Sequence, residues 1–166
     1  MPLIRVDAAG VPQAAEDAFV TLADDAALPA DGGAIVSLTR FRNERERLLA
    51  RNAPIGVRLK AAENPESLGA DVSRLSVVAL EFPAFNDGRA FSWARILRTR
   101  LGFTGEVRAV GHFIYDQVNY QRRVGFDAWE TSLTVEQIAR AFSEMTDVYQ
   151  PSTDGKKTIR ELRAGR

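Results

Sequence analysis

The chain has 166 residues, of which 45% are hydrophobic and 27% are charged, a composition that suits one folded domain with a sizeable apolar core. Its 22 basic and 22 acidic residues cancel, which excludes the strong overall field of a general nucleic-acid or membrane-surface binder. It has no cysteine and a single histidine, His112, which excludes disulfides, thiolate-held clusters and histidine-rich metal sites.

No apolar segment of the sequence has the length of a signal peptide or of a bilayer span. We therefore expect a soluble, cytoplasmic protein without nucleic-acid or membrane partners. Because the sequence offers neither thiols nor a second imidazole, we also expect no bound metal and no cofactor of its own.

Strand and helix signals alternate along most of the chain. A short strand is predicted at 3–6, and a turn-rich connection follows at 27–33. Apolar runs then predict strands at 35–38, 55–60, 77–82, 106–110 and 126–131. Capping residues and apolar spacing predict helices at 43–51, 64–75, 92–101 and 112–124, and one from Thr134. We assign 1–150 to a single α/β domain and 151–166 to a polar, disordered tail.

This alternation predicts a mostly parallel sheet of about five strands. Parallel strands covered on both faces are usually continuous apolar runs, but four strands here carry charged residues at alternating positions, among them Arg58, Glu81, Arg108 and Glu130. One face of the sheet is therefore partly polar. A partial β/α barrel with helices outside accommodates that face, and an open Rossmann-like sheet is the alternative.

The segment 81–92 leaves a strand, turns at Asp87–Gly88 and enters a helix. A helix start together with Arg89, Ser92 and Arg95 favours an oxyanion site, to which Arg108 adds a donor from the next strand. In the structural alternative, Ser92 caps the helix and the arginines lie on its solvated face.

A second strand–helix junction places His112 in the first turn of a helix, followed by Asp116 and Gln117. Glu81 and His112 are the candidates for moving a proton, and Asp116 and Gln117 are candidates for substrate contacts. Each has a structural alternative as a cap, an ion-pair partner or a packing residue. The sequence contains neither a dinucleotide-binding fingerprint nor a Walker loop.

The central block also resembles a known family. The resemblance is carried by the run from Glu81 to Arg89, by the segments 92–98 and 101–111, and by the residues that close it, Asp116–Gln117 and 123–127. In these the chain is similar to the bacterial domain of unknown function 934. That family is described as involved in sulfite reduction, and its genes lie beside those of assimilatory sulfite reductase.

The resemblance implies an accessory protein or an oxidoreductase of assimilatory sulfite reduction, with the sulfite reductase system as partner. A redox role would need a borrowed cofactor, because Cys-free side chains offer no two-electron centre. The alternative is an enzyme or binding protein for an anionic metabolite, with a polar pocket at the carboxyl ends of the strands.

These functions predict different surfaces. An enzyme should gather Glu81, Asp87, Arg89, Arg108, His112 and Glu130 in one pocket. A partner protein should expose an apolar patch around Phe85, Phe91 and Trp93.

Overall fold

Five apolar segments form consecutive parallel strands in the computed structural model, which describes residues 1–145 and 147–164. Each lies where the sequence predicted a strand, with ends that differ by up to two residues. They are β4 (Gly33–Ser37), β5 (Ile55–Leu59), β6 (Val77–Phe82), β7 (Glu106–Gly111) and β8 (Ala128–Glu130).

Three further strands come from the first 21 residues: β1 (Leu3–Val6), β2 (Pro12–Ala15) and β3 (Phe19–Thr21). The sheet therefore has eight strands in the order β2-β1-β8-β7-β6-β5-β4-β3, and the predicted number of about five is wrong. Strand β1 is antiparallel to both β2 and β8, whereas β3 to β8 are parallel. The strands β2 and β3 were not predicted from the sequence, because they are short edge strands without an apolar run.

The sheet is curled into a half-barrel, and the chain itself shows why. Strands β2 and β3 lie at opposite edges of the sheet, yet only residues 16–18 separate them. A flat sheet of eight strands would be about 34 Å wide, whereas this link spans at most about 14 Å. The two edges must therefore approach each other. The α/β class and the barrel-like curl are confirmed, and the open Rossmann-like alternative is wrong.

The described residues also form six α-helices: α1 (Leu38–Asn43), α2 (Arg45–Leu49), α3 (Arg89–Thr99), α4 (Tyr115–Val124), α5 (Val135–Glu144) and α6 (Ile159–Ala164). The predicted helix at 43–51 is wrong in its start, because the hydroxyl of Ser37 accepts from the Arg40 N–H and begins α1 directly after β4. The predicted capping box of Thr134 and Gln137 is confirmed. Residues Pro65–Arg74 form 3₁₀ turns broken at Gly69, where a longer helix was predicted.

The helices cover the outer face of the sheet, and the main core lies between the helices and the sheet. Alternate strand residues such as Val57, Leu80 and Phe82 meet Leu97 of α3 and Ile138 of α5 there. The inner face carries a second, smaller cluster of Ile35, Val77, Ala79 and Val110, against which Phe19 packs. The half-barrel thus has an apolar exterior under helices and a mixed interior.

The end of the chain contacts the domain. The hydroxyls of Ser152 and Thr153 both donate to the carbonyl of Arg123, at 2.7 Å. The Arg123 guanidinium pairs with Asp154 at 2.9 Å. These contacts lie within 151–166, the segment predicted to be a disordered tail, and α6 belongs to the same segment.

Candidate functional site

The carboxyl ends of the parallel strands form a rim with two neighbouring clefts. The first, which we call the polar cleft, lies over β3 to β6 and has a volume of about 430 Å³. Its lining residues are Thr21, Leu22, Ala23, Asp24, Val36, Ser37, Arg58, Lys60, Glu63 and Glu81. Barrel-like α/β proteins commonly place their sites at this end of the strands.

Charged side chains of the polar cleft are partly engaged with each other. The Nε of Arg58 donates to Glu81 at 3.2 Å. The Ser37 hydroxyl donates to Asp24 at 2.6 Å, and the carboxylate of Glu63 accepts from the Lys60 backbone N–H at 2.7 Å. The Arg58–Glu81 pair was foreseen as a structural alternative to catalysis by Glu81. The other engaged groups were not predicted.

The second cleft, which we call the apolar cleft, lies over β6 to β8 and has a volume of about 650 Å³. Its lining residues are Met1, Pro83, Ala84, Phe85, Gly111, His112, Phe113, Ile114 and Ser132. Phe85 is 58% exposed and Ile114 45% exposed. Large apolar side chains are therefore presented to solvent at this end of the sheet.

The loop between β7 and α4 positions His112 in the apolar cleft. Gly111 has φ +94°, and a Cβ there would lie 2.4 Å from the Phe82 carbonyl, so only glycine fits. The His112 N–H then donates to that carbonyl at 2.7 Å. Because α4 begins at Tyr115, the prediction that His112 lies in the first helical turn is wrong. His112 lies three residues before the helix, directly after β7.

Arg89 is already paired at the Asp87–Gly88 turn. Its Nε and Nη2 donate to the Asp87 carboxylate at 2.9 and 2.6 Å. That hydrogen bond from Arg89 lowers the pKa of Asp87. Helix α3 begins at Arg89, so Ser92 lies inside the helix and does not cap it, and both Ser92 and Arg95 are exposed. The predicted oxyanion site at this turn stays a prediction. In the structure Asp87 already engages two of the three nitrogens of the Arg89 guanidinium, Nε and Nη2.

Arg108 lies beneath the rim, in the interior of the half-barrel, and its side chain is fully buried. Its terminal nitrogens donate to Asp17 at 2.7 and 3.0 Å, and its Nε donates to Glu106 at 2.7 Å. All three groups of the guanidinium are engaged there, so Arg108 does not contribute to the Asp87–Arg89 turn. Arg5 binds the other oxygen of Glu106 at 2.6 Å.

The remaining predicted residues lie on α4. The Gln117 amide donates to the Phe85 carbonyl at 2.6 Å and accepts from the Ile114 N–H at 3.1 Å, so it ties the start of α4 to the apolar cleft. Asp116 faces a separate, smaller cleft of about 100 Å³ beside Arg123. The structure thus divides the predicted residues among several places.

Within 1–145 and 147–164, no group of three or more His, Asp or Glu side chains is arranged to hold a metal ion. None of the helices in the same ranges is long and apolar enough to cross a bilayer.

Comparison with known proteins yields one match. A family model described as "Bacterial protein of unknown function (DUF934)" matches residues 56–160. No curated protein and no solved structure matches the chain significantly. The matched region includes most of β5, all of β6 to β8 and the Asp87–Arg89 turn. It covers all lining residues of the apolar cleft except Met1, but only Arg58, Lys60, Glu63 and Glu81 of the polar cleft.

Proposed function

The chain belongs to this bacterial family of unknown function, DUF934, and from that premise we propose that it is an accessory protein of assimilatory sulfite reduction that acts by contact with a partner protein. The pathway is the one that the family resemblance implies. The sulfite reductase system is the partner that this role requires.

The apolar cleft is the observation that favours a role in binding a partner protein over a role in catalysis. Phe85 and Ile114 are exposed side by side in its lining, as a docking surface requires. The candidate catalytic residues are not gathered: Glu81 lines the polar cleft, His112 lines the apolar cleft, and Arg108 is buried below both. Of the predicted apolar patch, only Phe85 is exposed, since Phe91 packs on Phe82 and the Trp93 ring N–H donates to the Ala61 carbonyl.

A deletion strain tests the pathway directly. It should grow poorly on sulfate or sulfite as sole sulfur source and normally on cysteine, because only the steps before sulfide incorporation depend on the protein. The measurement is growth rate on each sulfur source. Equal growth on all of them contradicts the assignment.

A substitution in the apolar cleft tests the contact. Phe85→Ser should leave the fold intact, because the ring is 58% exposed, yet it should fail to restore growth of the deletion strain on sulfate. Loss of one exposed aromatic anchor typically weakens an interface by about 2 kcal/mol or more, about thirtyfold in affinity. Val11→Ser is the matched control, since Val11 is 51% exposed in the β1–β2 turn at the other end of the sheet. Full complementation by Phe85→Ser would exclude this surface.

A second candidate function is supported by the polar cleft. An enzyme or binding protein for an anionic metabolite would hold its ligand with Arg58 and Lys60, and Glu81 would be placed to move a proton. A thermal-stability screen against anionic metabolites tests this function. Ligands of the cleft should raise the melting temperature of the wild type and not that of the Arg58→Gln variant.

A further inference from the structure

Arg58 is the side chain in the polar cleft that is best prepared for a ligand. Its Nε is held by Glu81 at 3.2 Å, and among the described residues its two terminal nitrogens make no hydrogen bond. A guanidinium held at Nε keeps its terminal N–H groups in a fixed plane, where they match two oxygens of one oxyanion. Its side chain is 39% exposed, so a small molecule can reach it.

Lys60 adds a second positive charge. It comes directly after the end of β5, two residues beyond Arg58, and lines the same cleft as Arg58. Its backbone N–H is bound by Glu63, and its ammonium group has no partner within the described ranges. The two cations thus form one side of the cleft.

The acidic residues restrict the ligand further. Asp24, Glu63 and Glu81 each accept a hydrogen bond at only one carboxylate oxygen from the described residues. These three negative charges exceed the two of Arg58 and Lys60, so a bare multivalent anion meets net repulsion. A ligand that carries both an oxyanionic group and an ammonium group can pair with the two cations and with the carboxylates of the cleft.

We infer that the polar cleft binds a small zwitterionic metabolite, with its oxyanionic group on Arg58 and Lys60 and its ammonium group toward Asp24, Glu63 and Glu81. This inference rests on the second proposed function and names its ligand class. Glu81 then has two roles: it orients Arg58 through the hydrogen bond at Nε, and it faces the ammonium group from the cleft lining.

Two probes that differ by one ammonium group test the ligand class. Phosphoethanolamine and ethyl phosphate carry the same phosphate, and calorimetry on the full chain should give phosphoethanolamine at least about tenfold higher affinity, as one additional charge-assisted hydrogen bond provides. Arg58→Gln and Lys60→Gln should each weaken phosphoethanolamine binding by about tenfold. Lys60 is exposed and its ammonium group pairs with none of the described residues, so its variant keeps the fold and remains informative if Arg58→Gln unfolds.

Arg140→Gln is the matched control, because Arg140 is 77% exposed on α5 and does not line the polar cleft. It should bind phosphoethanolamine like the wild type. Equal affinity for the two probes, with dependence on Arg58, would overturn the zwitterion inference and leave the second proposed function standing. Absence of binding of both probes would also overturn the inference, and the metabolite screen then decides the second function independently.

Discussion

Replacing Asp17 by Ala is expected to lower the free energy of unfolding by about 3 kcal/mol, the lower end of the cost of leaving a buried charge without one of its partners. Arg108 is fully buried and receives its counter-charge from Asp17 and Glu106. A guanidinium cannot lose its proton to escape this cost. The loss stays at the lower end because Glu106 still neutralises Arg108. Denaturant unfolding of the variant measures the effect.

Glu16→Ala is the control for this substitution. Glu16 lies beside Asp17 in the same three-residue link between β2 and β3 and is likewise exposed, but it forms no ion pair with the described residues. Its removal should change stability by less than about 0.5 kcal/mol. If Asp17→Ala and Glu16→Ala had the same small effect, the ion pair inside the half-barrel would not stabilise the curl.

The pH dependence of the same pair follows from Asp17. Burial alone would raise the pKa of its carboxyl, but the hydrogen bonds from Arg108 and from the Phe19 N–H outweigh burial and lower it. A carboxyl whose pKa is lower in the folded state contributes stability above its unfolded pKa of about 4. That contribution is lost as the pH falls through the folded pKa. The difference in unfolding free energy between wild type and Asp17→Ala should therefore shrink below about pH 4.

The sequence predicts the parallel half of the fold well and the N-terminal part poorly. Strands β4 to β8 place apolar residues on the face that the helices cover, and this pattern is visible in the sequence. Residues Pro12–Ala15 and Phe19–Thr21 have no such pattern, because each pairs at an edge and is half solvated. The charged alternation at Arg58, Glu81 and Arg108 nevertheless indicated the polar interior that a curled sheet provides.

The candidate site was less predictable because it depends on partners distant in sequence. Arg108 was predicted at the rim, but Asp17, 91 residues away, holds it in the interior. Arg89 was predicted to bind an anion, and Asp87 occupies part of its guanidinium. Arg58 and Lys60 were recognised only as residues of one strand face. The alternation of Arg58 and Lys60 with Val57 and Leu59 indicated that the two cations share a face of the strand. The sequence does not give the register of the neighbouring strands, which decides what that face contacts.

Replacing Arg98 by Met is the second change expected to have a large effect. Arg98 lies on α3, is 17% exposed, and joins two loops: its guanidinium donates to the carbonyls of Phe103 and Gly105 between α3 and β7, and it donates to the Gly125 carbonyl and pairs with Asp127 between α4 and β8. A hydrogen bond to a charged group contributes about 1.5–3 kcal/mol, and Met restores none of them. The expected loss in unfolding free energy is at least about 3 kcal/mol. Arg95→Met, on the exposed face of the same helix, should change stability by less than about 0.5 kcal/mol.

The size of the Arg98→Met effect should depend on pH. Desolvation raises the pKa of Asp127, and in the wild type Arg98 and the Val107 N–H offset part of that rise. Without Arg98 the folded-state pKa rises further. A carboxyl with a raised folded pKa favours folding at low pH and loses that contribution as the pH rises through the folded pKa. The deficit of Arg98→Met relative to wild type should therefore be largest at neutral pH and smaller near pH 4. Denaturant unfolding at both pH values measures it, and a deficit independent of pH would mean that Asp127 does not depend on Arg98 for its charge.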